Sequence, residues 1–259
     1  MTEYLRRALL ASPTAPAQAA ARTLADAADW VEPEDADVII ALGGDGFMLQ
    51  VLHRMLDRRK RAVPVFGMNL GTVGFLMNEW RAHGIEERLV RAKPFQVTPL
   101  SATITASDGR VHQLSAINEV SLLRETRQTA KLEVIVNDRI VMPELACDGI
   151  LVATPAGSTA YNLSAQGPIL PLGSNLLALT PISPFRPRRW RGAILTDKAR
   201  ITMRVLDPVK RPVSAVADQH EVREIAEVSI GMDRSRELTL MFDPEHALDD
   251  RITMEQFVA

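Results

Sequence analysis

One carboxylate sits inside a glycine turn. Gly43-Gly44-Asp45-Gly46 interrupts the stretch DVIIALGGDGFML, residues 37–49. Glycines let the backbone approach a ligand closely. Main-chain amides at the start of a following helix attract phosphate, so Gly43 and Gly44 read as part of a phosphate loop. Beside a phosphate, Asp45 is repelled as a simple binder. It fits instead as a proton acceptor for a hydroxyl that attacks phosphorus. The rival reading is a tight turn with a solvated Asp45. The turn is neither GxxxxGK[ST] nor GxGxxG, so it is not a Walker loop or a dinucleotide fingerprint.

Three more stretches carry polar chemistry. NLGTVGFL (69–76) is a second glycine loop after an apolar run. INE (117–119) sets the amide of Asn118 beside the carboxylate of Glu119; alone, it is an ordinary strand-end pair. CDGILVATPAGSTAYNLSAQGPI (147–169) is dense in small and hydroxyl residues. Within it Tyr161 either packs half-buried with a wet hydroxyl or stacks on a base. Cys147 reads as a small buried hydrophobe. RPRRWR (186–191) either binds nucleotide phosphates or is a solvated face. The five histidines show no metal-ligand spacing, and His53 and His220 read as surface or supporting residues.

The elements that must position these groups change character along the chain. Val38–Leu42 is a continuous apolar run, as in a strand buried on both faces. Met48, Val51, Leu52, Met55 and Leu56 then recur at helical spacing, giving a helix over 47–60. Strands near 4–10 and 62–71 and helices near 16–28 and 82–92 complete an alternation that predicts a parallel, Rossmann-like sheet. From residue 96 the pattern turns to period two. Asp108-Gly109 and Asn137-Asp138, each between alternating runs, read as hairpin turns, and GILVATP, ARITMRVL, RPVSAVAD, VREIAEVSI and RELTLMF read as further strands. The expected organisation is an α/β N-terminal domain (1–95) followed by a β-rich, sandwich-like domain (96–236). A helical-looking C-terminal segment (237–259, including PEHALDDRITMEQF) is expected to return to the first domain.

Composition bounds the class. The chain has 259 residues, 46% of them hydrophobic, and a formal charge of −2. A nucleic-acid binder usually carries a basic excess, and no apolar run reaches the roughly 18 residues of a membrane span. Glu3 and a short, interrupted apolar run argue against a signal peptide. With a single cysteine, the expectation is a cytoplasmic protein with no nucleic-acid or membrane partner.

Taken together, GGDG, NLGTVGFL, INE and the 147–169 stretch resemble the NAD kinase family, from about residue 37 to the end of the chain. GGDG alone is shared with lipid-kinase and phosphofructokinase relatives. The resemblance implies transfer of a phosphoryl group from ATP or polyphosphate to the 2′-hydroxyl of the adenosine ribose of NAD. Asp45 would be the proton acceptor, with Gly46 beside it on NAD. It implies that Asn118 and Glu119 hold the ribose and adenine, and that Asp148 also contacts substrate. Ala156 and the run Thr159, Ala160, Tyr161, Asn162, Leu163 and Ser164 would wrap the two ends of the dinucleotide. Asp218-Gln219 takes the place of a late polar pair near the substrate. The family further implies Mg²⁺ carried with ATP, no dedicated protein metal site, and homodimers or homotetramers.

Two positions depart from the family pattern. Phe47 stands where Thr is usual, and Ala146 where many members carry Arg two residues before the site Asp. Phe47 is expected to turn inward as the first apolar residue of its helix. The rivals to the kinase reading are a lipid kinase and a catalytically silent NAD(P)-binding sensor.

Overall fold

The computed structural model describes residues 4–26, 28–57, 62–71, 74–244 and 257. The chain divides into two units, one of Met1–Val97 with Arg236–Ala259 and one of Thr98–Ser235. The first begins with β1 (Arg7–Ala11), α1 (Ala15–Leu24), β2 (Val38–Gly43), α2 (Asp45–Leu56), β3 (Val65–Asn69), β4 (Asn78–Glu79), α3 (Ile85–Arg91) and β5 (Lys93–Val97). The second holds β6 (Leu100–Ala106), β7 (Val111–Ala116), β8 (Glu119–Arg124), β9 (Ala130–Val136), β10 (Arg139–Cys147), β11 (Gly149–Ala153) and α4 (Tyr161–Ser164). It continues through β12 (Leu176–Ile182), β13 (Ala193–Thr196), β14 (Ile201–Val205), β15 (Val213–Ala217), β16 (His220–Val222) and β17 (Ile225–Met232). The chain then returns to the first unit as β18 (Leu238–Phe242).

In the first unit the strands run in the order β1-β2-β3-β18-β5, with β4 beside β3. Every residue of β2 is buried, as its unbroken apolar run requires. Val38, Ile40 and Leu42 face α1 and α3, packing on Ala17, Ala20, Leu24 and Leu89. The other face receives α2: a Cβ at Gly67 of β3 would lie 2.3 Å from Met48 Cε and 2.4 Å from Met77 Sδ. The sheet is not purely parallel, contrary to the alternation pattern. β5 pairs antiparallel with β18. It is an exposed edge strand, the one place in a sheet where Pro94 is tolerated. α2 starts at Asp45, two residues before the expected start at 47, which puts Asp45 in the first helical turn. PEHALDDRITMEQF falls almost wholly outside the described residues.

The second unit is a sandwich of two six-stranded antiparallel sheets, β10-β9-β14-β17-β6-β7 and β13-β12-β11-β8-β15-β16. Alternate residues of both sheets meet in one core: Leu132, Val134, Met203 and Val228 from the first, Val120, Leu122, Val152 and Leu179 from the second. Asn137 and Asp138 both take positive φ (49° and 62°), the signature of a two-residue hairpin turn. β12 and β13 carry no clean alternation in sequence. Pro181 lies past Leu179, the last β12 residue paired with β13, where the strand has one neighbour.

Candidate active site

In the first unit, β2 delivers Gly43 and Gly44 to the amino end of α2, whose first residue is Asp45. The Asp45 carboxylate accepts hydrogen bonds from Phe75 N–H (2.7 Å) and Leu76 N–H (3.1 Å), in the second glycine loop. That approach requires a glycine. A Cβ at Gly74 would lie 2.2–2.5 Å from the carboxyl atoms of Asp45. A Cβ at Gly44 would meet only Asn69 Oδ1 at 3.9 Å, and one at Gly46 nothing within 4 Å. The start of α2 is therefore open to a ligand. Asp45 is no idle turn residue: it couples the two glycine loops. Phe47 is half-buried rather than fully inward. Its Cβ and ring lie over Gly43, where a Cβ would come within 2.9 Å, and the fully buried face begins at Met48.

In the second unit, Asn118 and Glu119 open β8 beside the end of β11. Asp218, in the left-handed region (φ 50°) between β15 and β16, accepts the N–H groups of Ile117 (2.6 Å), Asn118 (2.9 Å) and Glu119 (3.2 Å). Its carboxylate thus braces the INE segment. Thr154, which the sequence did not single out, donates its hydroxyl to Ile117 O (2.8 Å) and accepts Gly157 N–H (3.0 Å). A Cβ at Gly157 would lie 2.2 Å from Asn118 O, so the turn Ala156–Thr159 packs directly on the main chain of Asn118. Gln219 is exposed beside Asp218.

Two acceptors in this cluster are buried without a partner, Asn118 Oδ1 and Glu119 Oε2. Buried polar groups are seldom left so, and the pair marks where a ligand's donors belong. Burial, reinforced by the charge of Asp218 and opposed by the Tyr161 N–H, pushes the Glu119 carboxyl up to about 8. The Tyr161 phenol is raised by burial and by the charges of Glu119 and Asp148, which places these three side chains in one neighbourhood. Asp148 pairs with Arg124 at 2.6 Å. No local pattern pointed to Arg124, because the register of β8 against β11 brings it there.

The resemblance places Asn162 among the ligand contacts, and in the structure its side chain braces the turn. It is fully buried, its Nδ2 donates to Ser158 O (3.1 Å) and Pro168 O (2.9 Å), and its Oδ1 accepts the Thr180 hydroxyl (2.7 Å). Ala156 is buried, Thr159, Ala160, Tyr161 and Leu163 are half-buried, and Ser164 is exposed. Cys147 is buried and its thiol is pushed up to about 12, chiefly by burial, which makes it inert.

The Glu119 environment predicts a pH effect on stability. Its folded value of about 8 lies above the ordinary 4.5, so between those values the native state holds a proton that the unfolded state has released. Stability conferred by the neutral acid is complete below about pH 4.5 and is lost as pH rises to about 8. Glu119→Gln mimics the neutral acid, so its urea stability should fall less across this window than that of the parent. Parallel curves for the two proteins from pH 5 to 9 would refute the assignment.

Comparison with known proteins bears on both units. Residues 6–90 match the ATP-NAD kinase N-terminal domain and residues 117–242 the ATP-NAD kinase C-terminal domain. The chain is 65% identical over 257 residues to the NAD kinase of Rhizorhabdus wittichii, covering 99% of each. It is 64% identical to that of Zymomonas mobilis, covering 98% of each. The fold resembles yeast NADH kinase complexed with NADH (TM-score 0.80, 21% identity, 98% of this chain and 88% of that one). It also resembles an NAD kinase from Archaeoglobus fulgidus in complex with ATP (TM-score 0.75, 24% identity, 98% and 100%). Neither the lipid-kinase reading nor the silent-sensor reading is favoured. With both domain models matched in order and near-full-length relatives of such identity, the chain belongs to the NAD kinase family.

Proposed function

We propose that this protein transfers the terminal phosphoryl group of ATP, or of another phosphoryl donor such as polyphosphate, to the 2′-hydroxyl of the adenosine ribose of NAD, giving NADP. The observation that carries the chemistry is Asp45. Its carboxylate is fixed at the open amino end of α2 by two main-chain amides, and one hydrogen bond per oxygen leaves it able to accept another. It takes the proton of the attacking hydroxyl. A ribose hydroxyl is a weak nucleophile, so positioning supplies most of the rate.

Main-chain amides of the Gly43-Gly44 loop hold donor phosphates, and Gly46 lies beside Asp45 on NAD. Asn118 Oδ1 and Glu119 take up ribose and base donors, Tyr161 covers a ring, and Asp148 adds a polar contact. Asp218, Thr154 and Asn162 keep these groups in place. Mg²⁺ carried with the donor would screen its charge. Among the described residues no three His, Cys, Asp or Glu side chains gather to hold a metal. An ion carried with ATP would be held mainly by phosphate oxygens and water. The working form is a cytoplasmic homodimer or homotetramer. Among the described residues no helix is long and apolar enough to cross a membrane.

NAD, ATP and Mg²⁺ incubated with the protein should yield NADP, detected by an NADP-specific dehydrogenase. Dinucleotide binding with no NADP formed would reject the reaction.

A further inference from the structure

The connection from β12 to β13 carries Arg186, Arg188, Arg189 and Arg191, all exposed, in a chain whose net charge is −2. Among the described residues none of the four pairs with a carboxylate. A merely solvated basic loop needs no fixed shape, yet this one is anchored at three places. Phe185 N–H and Arg186 N–H donate to Ala146 O (2.7 and 3.1 Å), and Ala146 N–H donates back to Arg186 O (2.9 Å). Trp190 packs on the sandwich core. Gly192, at φ 108°, passes so close to β12 that a Cβ would lie 2.3 Å from Leu179 O.

The side chains are arranged as well. The guanidinium carbons of Arg186 and Arg188 stand 5.8 and 5.4 Å from the centroid of the same Phe185 ring. Two like charges held on one ring repel each other, and an anion relieves that repulsion. The planar donor fork of arginine suits phosphate oxygens in particular. The anchor at Ala146 also sets the position. Asp148 follows two residues later, and its N–H donates to Ile182 O (3.0 Å), just before the loop. The ion pair of Asp148 with Arg124 keeps that carboxylate from opposing an incoming anion.

We propose that the arginine loop 186–191 is a preformed phosphate site that takes the pyrophosphate of the dinucleotide held beside Asp148 and Tyr161. This rests on the reading of the protein as an enzyme acting on NAD. It gives the loop a binding function that the site residues assigned from GGDG, INE and 147–169 do not include.

The test is calorimetric titration of the full chain with NAD, inorganic pyrophosphate and adenosine. Wild type is compared with a variant carrying Arg186→Gln, Arg188→Gln, Arg189→Gln and Arg191→Gln, and with the matching all-Lys variant. The Gln variant should lose pyrophosphate binding and raise the NAD Kd by about tenfold or more, the loss of at least one charge-assisted contact. Adenosine should bind it within about twofold of wild type, since no phosphate is involved. The Lys variant keeps the charge but not the planar fork, so its NAD and pyrophosphate affinities should fall between those of wild type and the Gln variant, and it serves as the folded control. An unchanged NAD Kd in the Gln variant overturns the proposal, as does an equal loss of adenosine affinity. Loss of pyrophosphate binding with NAD unaffected assigns the loop to another phosphate and overturns the dinucleotide assignment. NADP formation by wild type is followed in the same preparations with NAD, ATP and Mg²⁺ added. Its absence alongside the expected loop effect rejects the reaction and keeps the phosphate site.

Discussion

Asp45→Asn should lower kcat by roughly 10²–10⁴-fold, the usual loss when a positioned proton acceptor is removed. The geometry makes this substitution less innocent than its size suggests. Both carboxylate oxygens accept main-chain N–H groups, from Phe75 and Leu76. An asparagine offers one oxygen and turns its NH₂ toward a second donor, so one loop amide loses its acceptor. That costs about 1–3 kcal/mol if the amide stays buried. Two roles are therefore mixed in one residue, and kinetics separates them. If Asp45 only tethers the loop, the variant shows raised KM and lowered stability while kcat is largely kept. If it also takes the proton, kcat falls by the full factor at saturating substrate. Steady-state rates, together with urea unfolding of the same preparation, decide the matter.

Asp243→Ala should destabilise the fold by about 3–5 kcal/mol, because it leaves a buried guanidinium without its counter-charge. Asp243 is 2% exposed and Arg88 9%. Arg88 Nε donates to Asp243 Oδ1 at 3.0 Å, Nη2 donates to both Asp243 and Glu79 O, and the guanidinium lies over the Phe66 ring. Asp243 N–H donates to Asn78 Oδ1 (2.8 Å), whose Nδ2 in turn reaches Gly67 O and Met241 O. The pair ties the end of β18 to α3, and Asn78 ties it to β3. Since domains are stable by only about 5–15 kcal/mol, the variant should unfold at far lower urea. Replacing both partners by apolar residues should cost much less. A loss below about 1 kcal/mol for Asp243→Ala would reduce the pair to the weight of a surface contact.

The legible features were local ones. A buried strand running into GGDG, and Asp-Gly or Asn-Asp between alternating runs, state their geometry within a dozen residues. The second half of the candidate site was legible by composition, but the duties within it were not. Asn118 and Glu119 present unpartnered acceptors, whereas Asn162 and Asp218, equally polar in sequence, spend their groups on the protein's own main and side chains. Nothing in a one-dimensional pattern separates an amide that faces a ligand from one that ties a loop. Strand register joins Arg124 with Asp148 across 24 residues, and the packing of α3 against the end of β18 joins Arg88 with Asp243 across 155. The strands β5 and β12 were not among those expected, and both carry a proline, Pro94 and Pro181. Each lies where a strand lacks a neighbour on one side.

The return of β18 to the first sheet has a consequence for synthesis. β18 pairs with both β3 and β5, so the sheet that carries Asp45 cannot close until residue 242 has left the ribosome. At about 5–20 residues per second, the wait after β5 emerges is roughly 7–30 seconds. Through that interval β3 has β2 on one flank, while on the other β4 covers only Met68 and Asn69 and the slot at Val65–Phe66 stays open as Thr98–Ser235 is being made. An open strand edge of this kind is a template for pairing with other chains. Nascent copies on one message expose the same slot at the same time. Arrival of β18 therefore limits how long this edge is open to aggregation, and the Arg88–Asp243 pair forms only once that strand is in place.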